Sequence, residues 1–160
     1  MRIDFHYFSA ACAVGAVALG LLASCSTAEK EPFQVRQFHL SSVKATDDSA
    51  QMIRGEQLYR LRGAVTMEER TSRLGHYYTV YWNDIQNTGD AKVVFEYQQA
   101  TTASKVLTMT REIPAGLNSG SVEFRVIGDS YKQGGRVLAW RARLISNGKV
   151  LAMKRSYLWR

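Results

Sequence analysis

Cysteine is scarce in this chain: Cys12 and Cys25 are the only two among 160 residues. Beyond residue 25 there is no thiol, which excludes an internal disulfide, a thiolate nucleophile or a cysteine-bound zinc in any domain built there. Such a domain must rest on a hydrophobic core, and a chain of this length can build one. Histidine is nearly as sparse. Past the first segment only His39 and His76 remain, without the i, i+4 spacing that brings two imidazoles to one metal. No Gly-x-Ser-x-Gly elbow, glycine-rich phosphate loop or dinucleotide fingerprint is present, and Gly134-Gly135 precedes a strand pattern rather than a helix. Glu68-Glu69 and Asp47-Asp48 are adjacent pairs whose side chains diverge on a helix or a strand, so neither forms an acid/base dyad. These deficits predict a non-enzymatic protein with no catalytic residues, metal or cofactor. A hydrolase whose site is invisible in one sequence is the remote alternative.

Long apolar runs are also few. The one that exists, residues 10–23, is too short to span a bilayer and ends in small residues. Preceded by Arg2 and followed by Leu22-Ala23-Ser24-Cys25, it has the layout of an export signal. The four-residue ending resembles the lipobox of bacterial lipoproteins. That resemblance implies a diacylglyceryl thioether on Cys25, cleavage before it and acylation of the new amine, with two or three chains making a stable membrane anchor. The expected organisation is a signal peptide over 1–24, a lipidated tether over 25–32 and one domain over 33–160. The tether reaches at most about 25 Å from the bilayer. By the same resemblance, Ser26 after the cysteine favours the outer membrane, with the domain facing the periplasm. Export places the chain away from nucleic acid, and it carries no recognisable nucleic-acid-binding motif.

What is abundant is β pattern. Phe33 to Leu40 reads as a first strand whose apolar positions switch from odd to even, which predicts a bulge midway. Residues 41–55 are irregular, with Asp47, Asp48 and Ser49 placed to cap a short helix through Arg54 that packs Met52 and Ile53 inward. From Gln57 a period of two sets Tyr59, Leu61, Gly63 and Val65 against Leu58, Arg60, Arg62 and Ala64, and predicts a strand. Met67 to Arg73 is a charged connection with room for one helical turn. Further strands follow over 77–83, 93–98, 106–111 and 121–126, with turn signals at Asn87-Thr88-Gly89-Asp90 and Pro114-Ala115-Gly116. Residues 128–135 read as a glycine-flanked loop presenting Tyr131 and Lys132.

Asn147-Gly148 between two alternating runs marks a type I′ hairpin. Counting from Ser146 opposite Lys149 pairs Leu144 with Leu151, Ala142 with Met153, Trp140 with Arg155 and Leu138 with Tyr157 as a core face. The other face then aligns Arg141 with Lys154 beside Arg143. Seven or eight short strands with no long helix beyond the signal predict an all-β antiparallel sandwich, with a small open β-barrel as the alternative. In strand count, spacing and size it resembles the immunoglobulin and fibronectin type III class.

The formal charge of +7 points to anionic partners. The strip Arg141, Arg143 and Lys154 is a candidate contact for an acidic glycan, lipid headgroup or acidic protein. Tyr77 and Tyr81, with Tyr131 and Lys132, form a candidate aromatic contact for sugars or a protein partner. In a two-layer fold only one of the Tyr77/Tyr81 and Tyr78/Trp82 faces is buried. Together these features predict a lipid-anchored envelope protein that binds or scaffolds, most simply with another envelope protein as partner.

Overall fold

The computed structural model describes residues 31–43, 50–85, 89–102 and 104–160. The lipobox, Asp47-Asp48-Ser49 and the first half of the turn signal, Asn87-Thr88, lie outside these. Seven strands form two antiparallel sheets: β1 (Phe33–Leu40), β2 (Gly75–Trp82) and β5 (Gly120–Ile127) in one, and β3 (Ala91–Gln99), β4 (Leu107–Ile113), β6 (Val137–Ser146) and β7 (Lys149–Arg155) in the other. The spatial orders are β1-β2-β5 and β4-β3-β6-β7. The chain crosses between sheets after β2, β4 and β5, giving a two-sheet antiparallel sandwich rather than a closed barrel. Among the described residues three short helices interrupt it: α1 (Gln51–Leu61) and α2 (Met67–Ser72) between β1 and β2, and α3 (Asp129–Gly134) after β5. None of the described helices is long and apolar enough to cross a membrane.

The core lies where the inner faces meet. Tyr78, Val80 and Trp82 of β2 and Phe124 and Val126 of β5 pack against Val93 and Phe95 of β3 and Ala142 and Leu144 of β6. Phe95 is its hub, with ring centroids 5.1 Å from Phe124 and 4.7 Å from Tyr78. These β-branched and aromatic residues suit a pleated surface, and their alternation selects the buried face.

Four expectations are corrected. The period of two beyond Gln57 is not a strand, because α1 runs through it to Leu61 and a loop follows. Its Gln, Met, Arg, Glu and Leu residues are straight-chain helix formers, and only Ile53 is β-branched. Ala50 stands at its N-cap without a side-chain bond, and Met52 and Ile53 are exposed rather than packed inward. The bulge expected in β1 is absent, since its register with β2 is unbroken from Phe33↔Trp82 to Leu40↔Gly75. The parity switch instead reflects apolar residues on both faces: Phe33 joins the core, while Phe38, paired with Tyr77, faces the α1 side. The loop expected at 128–135 contains α3, entered and left through Gly128 and Gly135 at φ 60° and 72°.

The final hairpin turns as expected, with Asn147 and Gly148 at φ 49° and 75°. Its register slips after two pairs. Ile145 faces Val150 but Leu144 faces Ala152, so Leu151 is bulged out and every later residue of β7 changes face. Ala142 and Leu144 are buried as expected, whereas Leu151, Met153 and Tyr157 are exposed. Beyond Arg155 the chain leaves the ladder, and Ser156 brackets Trp140 through two hydrogen bonds of 2.9 and 3.0 Å. The connection at 67–73 becomes α2, closed by a capping box in which Thr66 Oγ1 accepts from Glu69 N–H and Glu69 accepts from Thr66 N–H.

Candidate functional site

A groove of ≈ 750 Å³ opens between α1 and the outer face of the three-stranded sheet. Its floor comes from strand alternation: Tyr77, Thr79 and Tyr81 point outward from β2, flanked by Arg36 and Phe38 of β1 and Ser121, Glu123 and Arg125 of β5. Met52, Ile53, Glu56, Tyr59 and Arg60 of α1 form the opposite wall.

Arg60 pins the helix to the sheet. Its guanidinium lies 4.3 Å from the Tyr77 ring centroid and bridges Glu123 of β5 and Glu56 one turn back on α1. Glu123 also accepts from Arg125 at 2.5 Å. Burial alone would raise the Glu123 carboxyl, but the bonds from Arg60 and Arg125 outweigh it and hold the pKa below the ordinary range. The Tyr77 hydroxyl donates to the Arg73 carbonyl at 2.6 Å, tying β2 to the end of α2.

Tyr77 is consequently 3% exposed and unable to meet a ligand, while Tyr81 at 37% remains open with Arg36 5.1 Å from its ring centroid. One half of the aromatic face is therefore closed by α1 and the other half is available. Tyr131 and Lys132 do not join it. They sit on α3, where the Tyr131 hydroxyl meets His39 Nε2 at 2.8 Å.

The residues of the expected basic strip are also separated. Arg141 and Arg143 share the outer face of the four-stranded sheet, where both hold Glu96. Arg141 does so through two bonds of 2.7 and 3.0 Å, and Arg143 through one of 3.1 Å. These bonds, Arg141's first, lower the Glu96 pKa. The Arg141 guanidinium also lies 5.0 Å from the ring centroid of Trp159, which the C-terminal segment brings back over the sheet. Lys154 is displaced by the bulge into register with Ala142 and reaches Glu31 at 2.5 Å instead.

Sequence reasoning missed Arg36, Arg60 and Arg125 because their significance depends on where α1 lies. Only the helix-forming composition of 51–61 hinted at it. Comparison of the chain with protein-family models, with curated proteins and with solved structures finds no match.

Proposed function

We infer that this chain is a lipid-anchored, non-catalytic binding module of the bacterial cell envelope. Cys25 carries the anchor in the outer membrane, and an envelope protein seats in the groove between α1 and the sheet. The observation that carries the binding role is the groove's composition. Met52, Ile53 and Tyr59 are exposed at 86%, 48% and 61%, beside the open ring of Tyr81 and the half-free charges of Arg36 and Arg125. Methionine, tyrosine and arginine are the residue types enriched at protein interfaces. The groove is fixed at one end by the Arg60 bridge, so a partner meets a largely prearranged surface. The lipobox-like ending of the signal supports the address.

A photoreactive residue at Met52 or Tyr81, introduced in living cells, tests this. We expect one discrete crosslinked protein from both positions and none from Thr110, exposed on β4 of the other sheet. Equal crosslinking from Thr110, or none from the groove, contradicts it. Tyr59 and Tyr81 beside Arg36 and Arg125 also favour a second reading, an acidic glycan stacked on the rings. Retention of the protein on such a polymer, lost in Tyr81→Ala, would select it.

A further inference from the structure

One register step beyond Phe38 and Tyr77, the cross-strand pairing of β1 with β2 sets His39 opposite His76. Their rings stack at 4.2 Å with planes 7° apart. Tyr131 of α3 meets both edge-on and hydrogen-bonds His39 Nε2. These imidazoles line a cleft of ≈ 330 Å³ with Gln37, Arg136, Leu138 and Trp140, closed by residues of the C-terminal segment.

Three features of this cleft are unexplained by folding alone. His76 is only 8% exposed, yet its buried Nε2 has no hydrogen-bond partner, a state that buried polar atoms seldom keep. Among the described residues Arg136 has no carboxylate partner, and none of those lining the cleft is acidic. The apolar wall is also open: Leu138, the extra residue where β6 slips against β3, is 53% exposed, and Leu158 is 60% exposed. Trp140 Nε1 meanwhile donates to Gln37 Oε1 at 3.1 Å, which fixes the amide with its N–H groups still to give.

We propose that this cleft binds a small organic anion, with a carboxylate or phosphate oxygen held by Arg136 and the imidazole N–H groups and an apolar body against Trp140 and Leu138. Arginine's fork suits such oxygens. Burial, with Arg136 adding to it and His39 acting on His76, shifts both imidazoles toward the neutral form, which still has one N–H to donate. A divalent metal suits the site poorly, because two face-stacked rings do not converge their nitrogens on one ion and Arg136 repels it. The cleft shares only Gln37 with the lining of the α1 groove, and the proposal stands independently of what fills that groove.

The test uses the full chain in detergent, titrated with benzoate, phenyl phosphate and uncharged benzyl alcohol. Tryptophan emission and the imidazole resonances of ¹⁵N-histidine-labelled protein are the readouts. Saturable binding of benzoate or phenyl phosphate is expected, moving the His39 and His76 resonances, and the tighter of the two identifies the oxygen source. Arg136→Ala, an exposed change that leaves the core intact, is expected to weaken it at least about tenfold, with partial recovery in Arg136→Lys. No saturable binding by either anion, binding of benzyl alcohol within about threefold of the better anion, or an unchanged affinity in Arg136→Ala overturns the proposal.

Discussion

Replacing Glu96 with alanine removes the carboxylate that both Arg141 and Arg143 hold, and the cost follows from how far each partner is withdrawn from water. The Glu96 side chain is 12% exposed and those of the two arginines 29% and 27%. A hydrogen bond to a charged group contributes about 1.5–3 kcal/mol, and stranding a fully buried ion costs about 3–5 kcal/mol. Both arginines keep a quarter of their surface wet and can rehydrate, so the lower end applies. We expect Glu96→Ala to lose about 2 kcal/mol and Glu96→Gln, which retains acceptor capacity, about half of that. Urea unfolding of wild type, Glu96→Ala, Arg141→Ala and the double variant isolates the pair, with a coupling of about 1–2 kcal/mol expected for the two-bonded Arg141 contact. A coupling below about 0.5 kcal/mol would refute the reasoning and return Arg141 to the status of a free surface charge.

Acid should weaken the fold through His76, whose pKa is pushed down to about 4, mainly by burial, with His39 and Arg136 contributing. Between the unfolded value near 6.5 and about 4 the unfolded chain binds a proton that the folded chain refuses, so stability is full above that window and falls as pH drops through it. Solvent screening limits the loss to about 2 kcal/mol, and His76→Phe should flatten that part of a stability-versus-pH curve measured by denaturant melts. Gly134→Ala places a methyl group inside the Gln99 side-chain amide, which is 1% exposed and held by the Ser130 and Gly135 carbonyls at 2.9 and 3.0 Å. With no room to swing, it should lose about 2–3 kcal/mol in thermal or urea unfolding, whereas Gly55→Ala, in open space within α1, should gain up to about 1 kcal/mol.

The two-layer fold was legible because β2 and β3 are rich in β-branched and aromatic residues, β5 alternates cleanly, and Asn147-Gly148 specifies a turn type through its backbone preference. The bulge at Leu151 was not legible. A slip of one residue leaves the alternating pattern of β7 intact and changes only which face it presents, a choice made by packing on β6 and β1. Local period likewise misread 57–65, since a run of Leu, Tyr, Arg and Gly satisfies both a strand and a short helix. The groove depends on α1 meeting the outer face of β2, a contact between segments that only the tertiary fold brings together. His39 and His76 looked unrelated at a separation of 37 positions, yet the register of β1 on β2 makes them neighbours.

The address of the protein rests on Cys25, and one comparison tests it directly. Cells expressing the wild type or Cys25→Ser are labelled with a palmitate analogue and fractionated. Label on the wild-type chain and its recovery with outer membranes, both lost in Cys25→Ser, is the expected result. A Cys25→Ser protein that still takes up label and still sediments with membranes would contradict the lipid anchor, and with it the reading of this sandwich as a tethered envelope module.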